Sequence, residues 1–262
     1  MKGVGSVKPK KFLGQHFLKD LSIAERIADT IDDTNRVSVL EVGPGMGVLT
    51  QFLLKKNIDL TVVELDRESV SYLQEHFSEL EGRILGEDFL KMDFKDLFSG
   101  EFMVIGNYPY NISSQIFFKV LDNKDQIPFC SGMIQKEVAE RIASKPGKKA
   151  YGIISVLLQA WYDIEYLFTV GAHVFDPPPK VQSAVVSLTR NNRTTFPCDE
   201  KLFKTVVKTA FNQRRKTMRN SLKPLLGKEC VLFPDEIFNK RPEQLSVEEF
   251  IELTKMVAPY IL

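Results

Sequence analysis

A β-branched apolar run, Val37–Val42, passes directly into Gly43, Pro44, Gly45, Met46 and Gly47, and a helical pattern follows as far as Lys55. Strand, glycine turn and helix in that order let backbone approach a nucleotide-like ligand, because a side chain at the turn would block it. The next apolar run, 60–65, places Glu64 about twenty residues after the glycines, the spacing at which an acid meets a ribose diol. The turn reads G-x-G-x-G with Val48 next, so the G-x-G-x-x-G of pyrophosphate binders is not matched. A cofactor with a ribose and no phosphates fits better, and S-adenosylmethionine is the obvious member of that class.

The rest of the chain alternates in the same way. Helical patterns over 22–31, 67–77, 113–121, 136–143 and 153–160 are interleaved with apolar strand-like runs near 83–85, 102–105, 129–134, 162–168 and 184–188. That alternation is the signature of a doubly wound α/β sheet. Composition shifts after Arg190: 191–197 reads as a linker, and the pattern from Lys201 onward is helical. The expected division is an α/β domain over 1–192 and a small all-α domain over 193–262.

One loop stands out for its chemistry. Asn107, Tyr108, Pro109 and Tyr110 follow the apolar run 102–105 and precede a helix, which puts them on the rim where ligands bind in an open α/β sheet. Asn107 offers an amide oxygen, and Pro109 biases Tyr108 toward extended geometry, turning its carbonyl outward as a second acceptor. Tyr110 adds a flat face. Two acceptors and an aromatic describe a site for an adenine amine drawn out of its stack; a plain strand-to-helix turn is the competing reading. The proline-rich loop 174–180 must cross the same rim, which places Phe175 either facing the cleft with Tyr110 or anchoring the loop. Asp88, beside Phe89, is open to two roles: accepting from an adenine amino group, or capping the turn that follows.

Lys+Arg number 35 against Asp+Glu 34, so any nucleic-acid surface must come from charge placement. Such placement exists: nine basic residues and no acid lie between Lys201 and Lys228, with Phe211, Met218 and Leu222 as the buried stripe. Arg214, Arg215, Lys216 and Arg219 are the expected phosphate contacts, Arg214 and Arg215 pointing outward. Lys2, Lys8, Lys10 and Lys11 form a basic start without the apolar stretch of a signal peptide, and no run is long enough to span a membrane. Cys130, Cys198 and Cys230 are odd in number and widely spaced, which points away from a disulfide framework and a zinc site and toward a cytoplasmic location. A metal-free monomer is expected. Phe12, Leu13, Phe17 and Leu18 need something to pack on, so the segment 12–18 is expected to fold back over a ligand pocket; His16 by itself reads as a hydrogen-bonded packing residue.

These residues together resemble the ribosomal RNA adenine dimethyltransferases, most closely their bacterial small-subunit (16S) branch. The resemblance runs nearly end to end, carried by 12–18, 41–47 with Glu64, Asp88 with Phe89, 107–111, 175–180 and 210–222. It implies a seven-stranded Rossmann-like methyltransferase sheet followed by a small helical domain. It further implies S-adenosylmethionine contacts at His16, Leu18, Gly43, Glu64, Asp88 and Asn107, with Gly45 in the same turn. The implied substrate is two adjacent adenines near the 3′ end of small-subunit rRNA, each methylated twice at N6. Two positions depart from the family pattern: Tyr108 stands where Leu is usual, and His16 where Asn is common. Rival readings are a large-subunit rRNA dimethyltransferase conferring antibiotic resistance, a DNA adenine methyltransferase, and a binding factor that monitors ribosome assembly. The stretch 212–222 favours the small-subunit enzyme.

Overall fold

A computed structural model describes residues 10, 16–95 and 97–261. Phe12, Leu13 and most of the basic start lie outside the described residues, which include only His16, Phe17 and Leu18 of the expected fold-back segment and Lys10 of the basic start. The strands are β1 (Phe17–Leu18), β2 (Val37–Val42), β3 (Ile58–Val63), β4 (Ile84–Leu85), β5 (Phe102–Asn107), β6 (Phe129–Gln135), β7 (Tyr162–Val170), β8 (Phe175–Asp176) and β9 (Ser183–Arg190).

Seven of them form one sheet in the order β4-β3-β2-β5-β6-β9-β7. Strands β4, β3, β2, β5 and β6 are parallel, and β9 returns antiparallel to β6. Leu40, Val42, Val62, Val104 and Ile105 are all buried, the composition required of parallel strands covered on both faces. Sequential strands leave β2 in opposite directions, β3 on one side and β5 on the other. The carboxyl ends of β2 and β5 therefore flank a topological switch point, where open α/β sheets bind ligands.

The chain forms two compact units. The first comprises Met1–Ala139 with Ile164–Arg190 and holds this sheet; the second comprises Glu140–Asp163 with Asn191–Leu262. The second unit thus takes in a segment upstream of residue 193. Within it, helix Ile153–Gln159 is secured by Ser155, which donates to the Arg141 carbonyl at 2.5 Å, and by Gln159, whose amide donates to the Ile142 and Ser144 carbonyls at 2.8 Å. Helix Glu200–Asn212 starts at Asp199, which accepts from the Leu202 N–H, and turns Phe203, Val206, Val207, Ala210 and Phe211 inward. Helix Val247–Val257 opens on a Ser246–Glu249 capping box and brings Phe250 to 5.9 Å from Phe211. The helical pattern expected from Lys201 onward is realised as separate helices: after Asn212 come the short helices Met218–Ser221 and Lys223–Leu226, Gly227 has a φ of +79°, and turns and 3-10 segments fill the stretch to Ser246.

Several element boundaries in the first unit differ from the pattern. The helix after the glycine turn is only Thr50–Leu53, because 45–49 are held in turns, with the Gly47 N–H on the Pro44 carbonyl at 2.9 Å. Helix Leu21–Ala28 stops before Ile31. Strand β3 ends at Val63, which leaves Glu64 just beyond it.

Candidate active site

A cavity of about 200 Å³ opens in the first unit at the switch point. Its wall includes His16, Leu18, Gly43, Gly45, Glu64, Asp88, Asn107, Tyr108 and Tyr110, so every cavity residue expected from the sequence except Phe175 meets there.

The glycine turn divides its work. Gly43 and Gly45 have φ of +70° and +57°, a backbone region that side chains disfavour, and both line the cavity. A Cβ on Gly45 would lie 3.2 Å from the Phe17 ring, so Phe17 closes over the turn. Gly47 serves packing: a Cβ there would lie 2.3 Å from the Phe77 ring. Ligand approach therefore accounts for the first two glycines and a helix–turn contact for the third.

Glu64 is 6% exposed. Its two oxygens accept from different backbone N–H groups, Gly45 at 3.1 Å and Asp66 at 2.8 Å, which fixes the carboxylate at the cavity wall. Burial raises its pKa above the ordinary value, and those two N–H groups oppose the rise. Glu41, at the cavity floor on β2, is fully buried and accepts from the Thr50 hydroxyl at 2.7 Å. Burial pushes its carboxyl up to about 8, with Thr50 opposing and the Glu64 charge adding to it. Asp88 takes the capping role, Oδ1 accepting from the Leu90 N–H at 3.0 Å, and the residue also lines the cavity.

The tetrad is held from three sides. The Asn107 side-chain nitrogen donates to the His16 carbonyl at 3.4 Å; a carbonyl only accepts, so this contact assigns the amide orientation and leaves Oδ1 as an acceptor. His16 itself donates from Nδ1 to the Pro177 carbonyl at 2.8 Å and sits 5.2 Å from the Tyr110 ring. The Tyr110 hydroxyl bonds the Ser183 hydroxyl. Tyr108 turns its ring into the protein, 1% exposed, and donates to the Ser131 carbonyl at 2.7 Å. The ring fits because its neighbours on β5 and β6 are glycines: a Cβ on Gly106 or Gly132 would come within 2.9 Å or 2.6 Å of it. A strand glycine marks such a close approach.

Phe175 does not face the cleft. It is 1% exposed and packs in the core with Leu18, Val174 and Val185. The reason is strand alternation: β8 pairs antiparallel with β1, Leu18 opposite Phe175, which turns Phe175 inward and Asp176 outward.

In the second unit, Arg215 is exposed, as expected, and so are Lys216 and Arg219. Arg214 is less outward than expected: it is half-buried, donates to the Lys148 carbonyl at 3.3 Å and lies 3.9 Å from Glu243. Arg219 donates to the Phe233 carbonyl at 2.6 Å.

Phe17 lies in the segment expected to fold back over a ligand pocket and does line the cavity, whereas Glu41, Gly106 and Gly132 were given no individual role in the site by the sequence. Glu41 carried a signal, a lone acid inside an apolar strand. The glycines carried a fainter one, each interrupting a strand beside Tyr108.

The cavity wall contains the carboxyl groups of Glu41, Glu64, Glu87 and Asp88 and no lysine or arginine among its described residues. A pyrophosphate would be repelled there, whereas a cationic ligand bearing a ribose is complemented. The donors and acceptors present thus fit S-adenosylmethionine. No helix of the described residues is long and apolar enough to cross a membrane, and no group of His, Cys, Asp or Glu among them is suited to hold a metal.

Comparison with known proteins adds independent findings. The family model described as ribosomal RNA adenine dimethylase matches residues 6–258. A protein of Parabacteroides distasonis named ribosomal RNA small subunit methyltransferase A is 73% identical over 248 residues, covering 95% of this chain and 93% of that one. Its namesake in Bacteroides thetaiotaomicron is 68% identical over 252 residues, covering 96% and 94%. Among solved structures, a dimethyladenosine transferase from Plasmodium falciparum superposes with a TM-score of 0.78 at 24% identity, over 94% of this chain and 98% of that one. The 23S rRNA methyltransferase ErmE superposes with a TM-score of 0.67 at 25% identity, over 91% and 99%.

Proposed function

The chain belongs to the ribosomal RNA adenine dimethylase family, and from that premise we propose that it transfers methyl groups to N6 of two adjacent adenines near the 3′ end of 16S rRNA in the small ribosomal subunit, dimethylating each. It is an S-adenosylmethionine-dependent rRNA methyltransferase. Action on a bacterial ribosomal subunit places it in the cytoplasm, in ribosome biogenesis. The observation that carries the reading is the junction at the switch point of an acid-lined cavity with the Asn107–Tyr110 loop.

S-adenosylmethionine, when bound, supplies an electrophilic methyl group on a sulfonium. Glu64 would take the ribose hydroxyls, Asp88 the adenine amine, and the backbone at Gly43 and Gly45 would lie against the ligand. His16, Leu18 and Asn107 would complete the contact. The target adenine is a poor nucleophile at N6, since its lone pair is delocalised into the ring. In the first transfer Asn107 Oδ1 and the Tyr108 carbonyl would accept the two N6 hydrogens, favouring a pyramidal nitrogen with its lone pair free to attack, and in the second the one remaining hydrogen would bond to one of them. Positioning and electrostatics carry the reaction. The proton leaves the nitrogen after transfer, so no strong base is needed. Tyr110, pinned through Ser183, offers its ring to the base. Phe175, buried against Leu18, anchors the loop beneath the site.

In the second unit, Arg215 and Lys216 meet rRNA phosphates, with Arg214 and Arg219 fixing the backbone that presents them. Identity of 73% to a small-subunit enzyme against 25% to a 23S enzyme favours the small-subunit target. Methyl incorporation into purified 30S against 50S subunits tests this: incorporation confined to undermethylated 30S supports the reading, and preference for 50S overturns it.

A further inference from the structure

The loop 177–182 is tied at both ends to residues of the cavity wall. Its first residue, Pro177, accepts from His16 Nδ1 at 2.8 Å, and the residue that follows it, Ser183, bonds the Tyr110 hydroxyl. Gln182 is fixed in turn: its carbonyl accepts from the Lys136 N–H at 2.9 Å and its side-chain oxygen from Lys136 Nζ at 3.1 Å. With Pro177, Pro178 and Pro179 limiting its backbone, the loop is pre-ordered. Among the residues it exposes, with Pro177, Pro178 and Gln182, are a cation, Lys180, and an apolar side chain, Val181, 46% exposed.

A cation beside an apolar side chain on a rigid rim matches one repeating ligand, a nucleic-acid strand, with phosphate on the charge and sugar or base on the methyl groups. The position calls for such a contact. An adenine drawn into the cavity brings its two flanking phosphates to a site whose wall carries carboxyl groups and, among its described residues, no lysine or arginine, so a cation for them must come from beyond that wall.

We propose that Lys180, with Val181, is the point at which the catalytic unit itself grips the RNA strand carrying the target adenine, the ammonium on a phosphate flanking the extruded nucleotide. This rests on the function proposed above and adds a substrate contact on the first unit, separate from the basic residues of the second.

The test uses the full chain, undermethylated 30S subunits and S-adenosylmethionine, with Lys180→Ala, Lys180→Glu, Lys180→Arg and Val181→Ser. Lys180→Ala should raise KM for 30S roughly tenfold with kcat within about twofold, and lower the salt slope of log kcat/KM by about one. Lys180→Glu should raise KM further, Lys180→Arg should stay near wild type, and Val181→Ser should fall between. Cofactor affinity measured by calorimetry should be equal in all of them. Wild-type KM and salt slope in both Lys180→Ala and Lys180→Glu would overturn the inference, as would a loss of cofactor affinity that accounts for the KM change. A wild-type chain inactive on 30S would overturn the parent reading and this one together, an outcome distinct from active wild type with unaltered variants.

Discussion

The Asn107 side-chain amide donates to the carbonyl of His16 at 3.4 Å. That contact joins the tetrad to the segment before β1 and assigns the Asn107 oxygen as the acceptor at the cavity. Replacing Asn107 with Ala should therefore remove methyl transfer, by about 10²-fold or more, as for deletion of a preorganised polar group. The melting temperature and 30S affinity should stay close to wild type. Equal turnover of variant and wild type would refute the assigned role.

Tyr108 separates backbone from side-chain function. Tyr108→Phe loses the hydrogen bond to the Ser131 carbonyl and should destabilise the protein by about 1–2 kcal/mol in denaturant titrations. On the proposal that the Tyr108 carbonyl meets the substrate, kcat should change less than threefold. A large fall in kcat at full stability would assign the hydroxyl a direct role.

Glu41 makes stability depend on pH. Its folded pKa of about 8 lies above the ordinary value of 4.5, so between those values the folded state holds a proton that the unfolded state lacks. Stability from this group is fully present below the unfolded value and is lost as pH rises through 8. Glu41→Gln removes the titration. In cofactor-free protein, the variant should gain on wild type by a few kcal/mol between pH 5 and about 8.5. A constant difference across that range would contradict the assignment.

The basic residues of the second unit should separate by their contacts. Arg215→Ala with Lys216→Ala should weaken 30S binding and lower its salt slope by roughly one to two, with no loss of stability. Arg219→Ala should also lower the melting temperature, because its guanidinium holds the Phe233 carbonyl. Cofactor affinity should be unaffected in all of them. An unchanged salt slope in the double variant would remove these two residues from the RNA surface.

Much of this was legible in the sequence because it is local. The strand–glycine turn and the spacing to Glu64 follow from short-range patterning, and the alternation of elements implies the sheet. Features that depend on non-local partners were not legible. Phe175 is turned inward by pairing with Leu18, more than 150 residues away in the chain. The purpose of Gly47 is visible only once Phe77 is packed against it, and Gly106 and Gly132 make sense only with the Tyr108 ring between them. Arg214 reads as outward from helical periodicity, yet a carbonyl at Lys148 and the carboxylate of Glu243 draw it in.

The most direct measurement is mass-spectrometric mapping of 16S rRNA from undermethylated 30S subunits after incubation with the chain and S-adenosylmethionine. The predicted result is N6,N6-dimethyladenine at two adjacent positions near the 3′ end with wild type and unmodified adenines with Asn107→Ala. Methyl groups elsewhere in the rRNA, or the same adenines modified by the Asn107→Ala variant, would contradict the account.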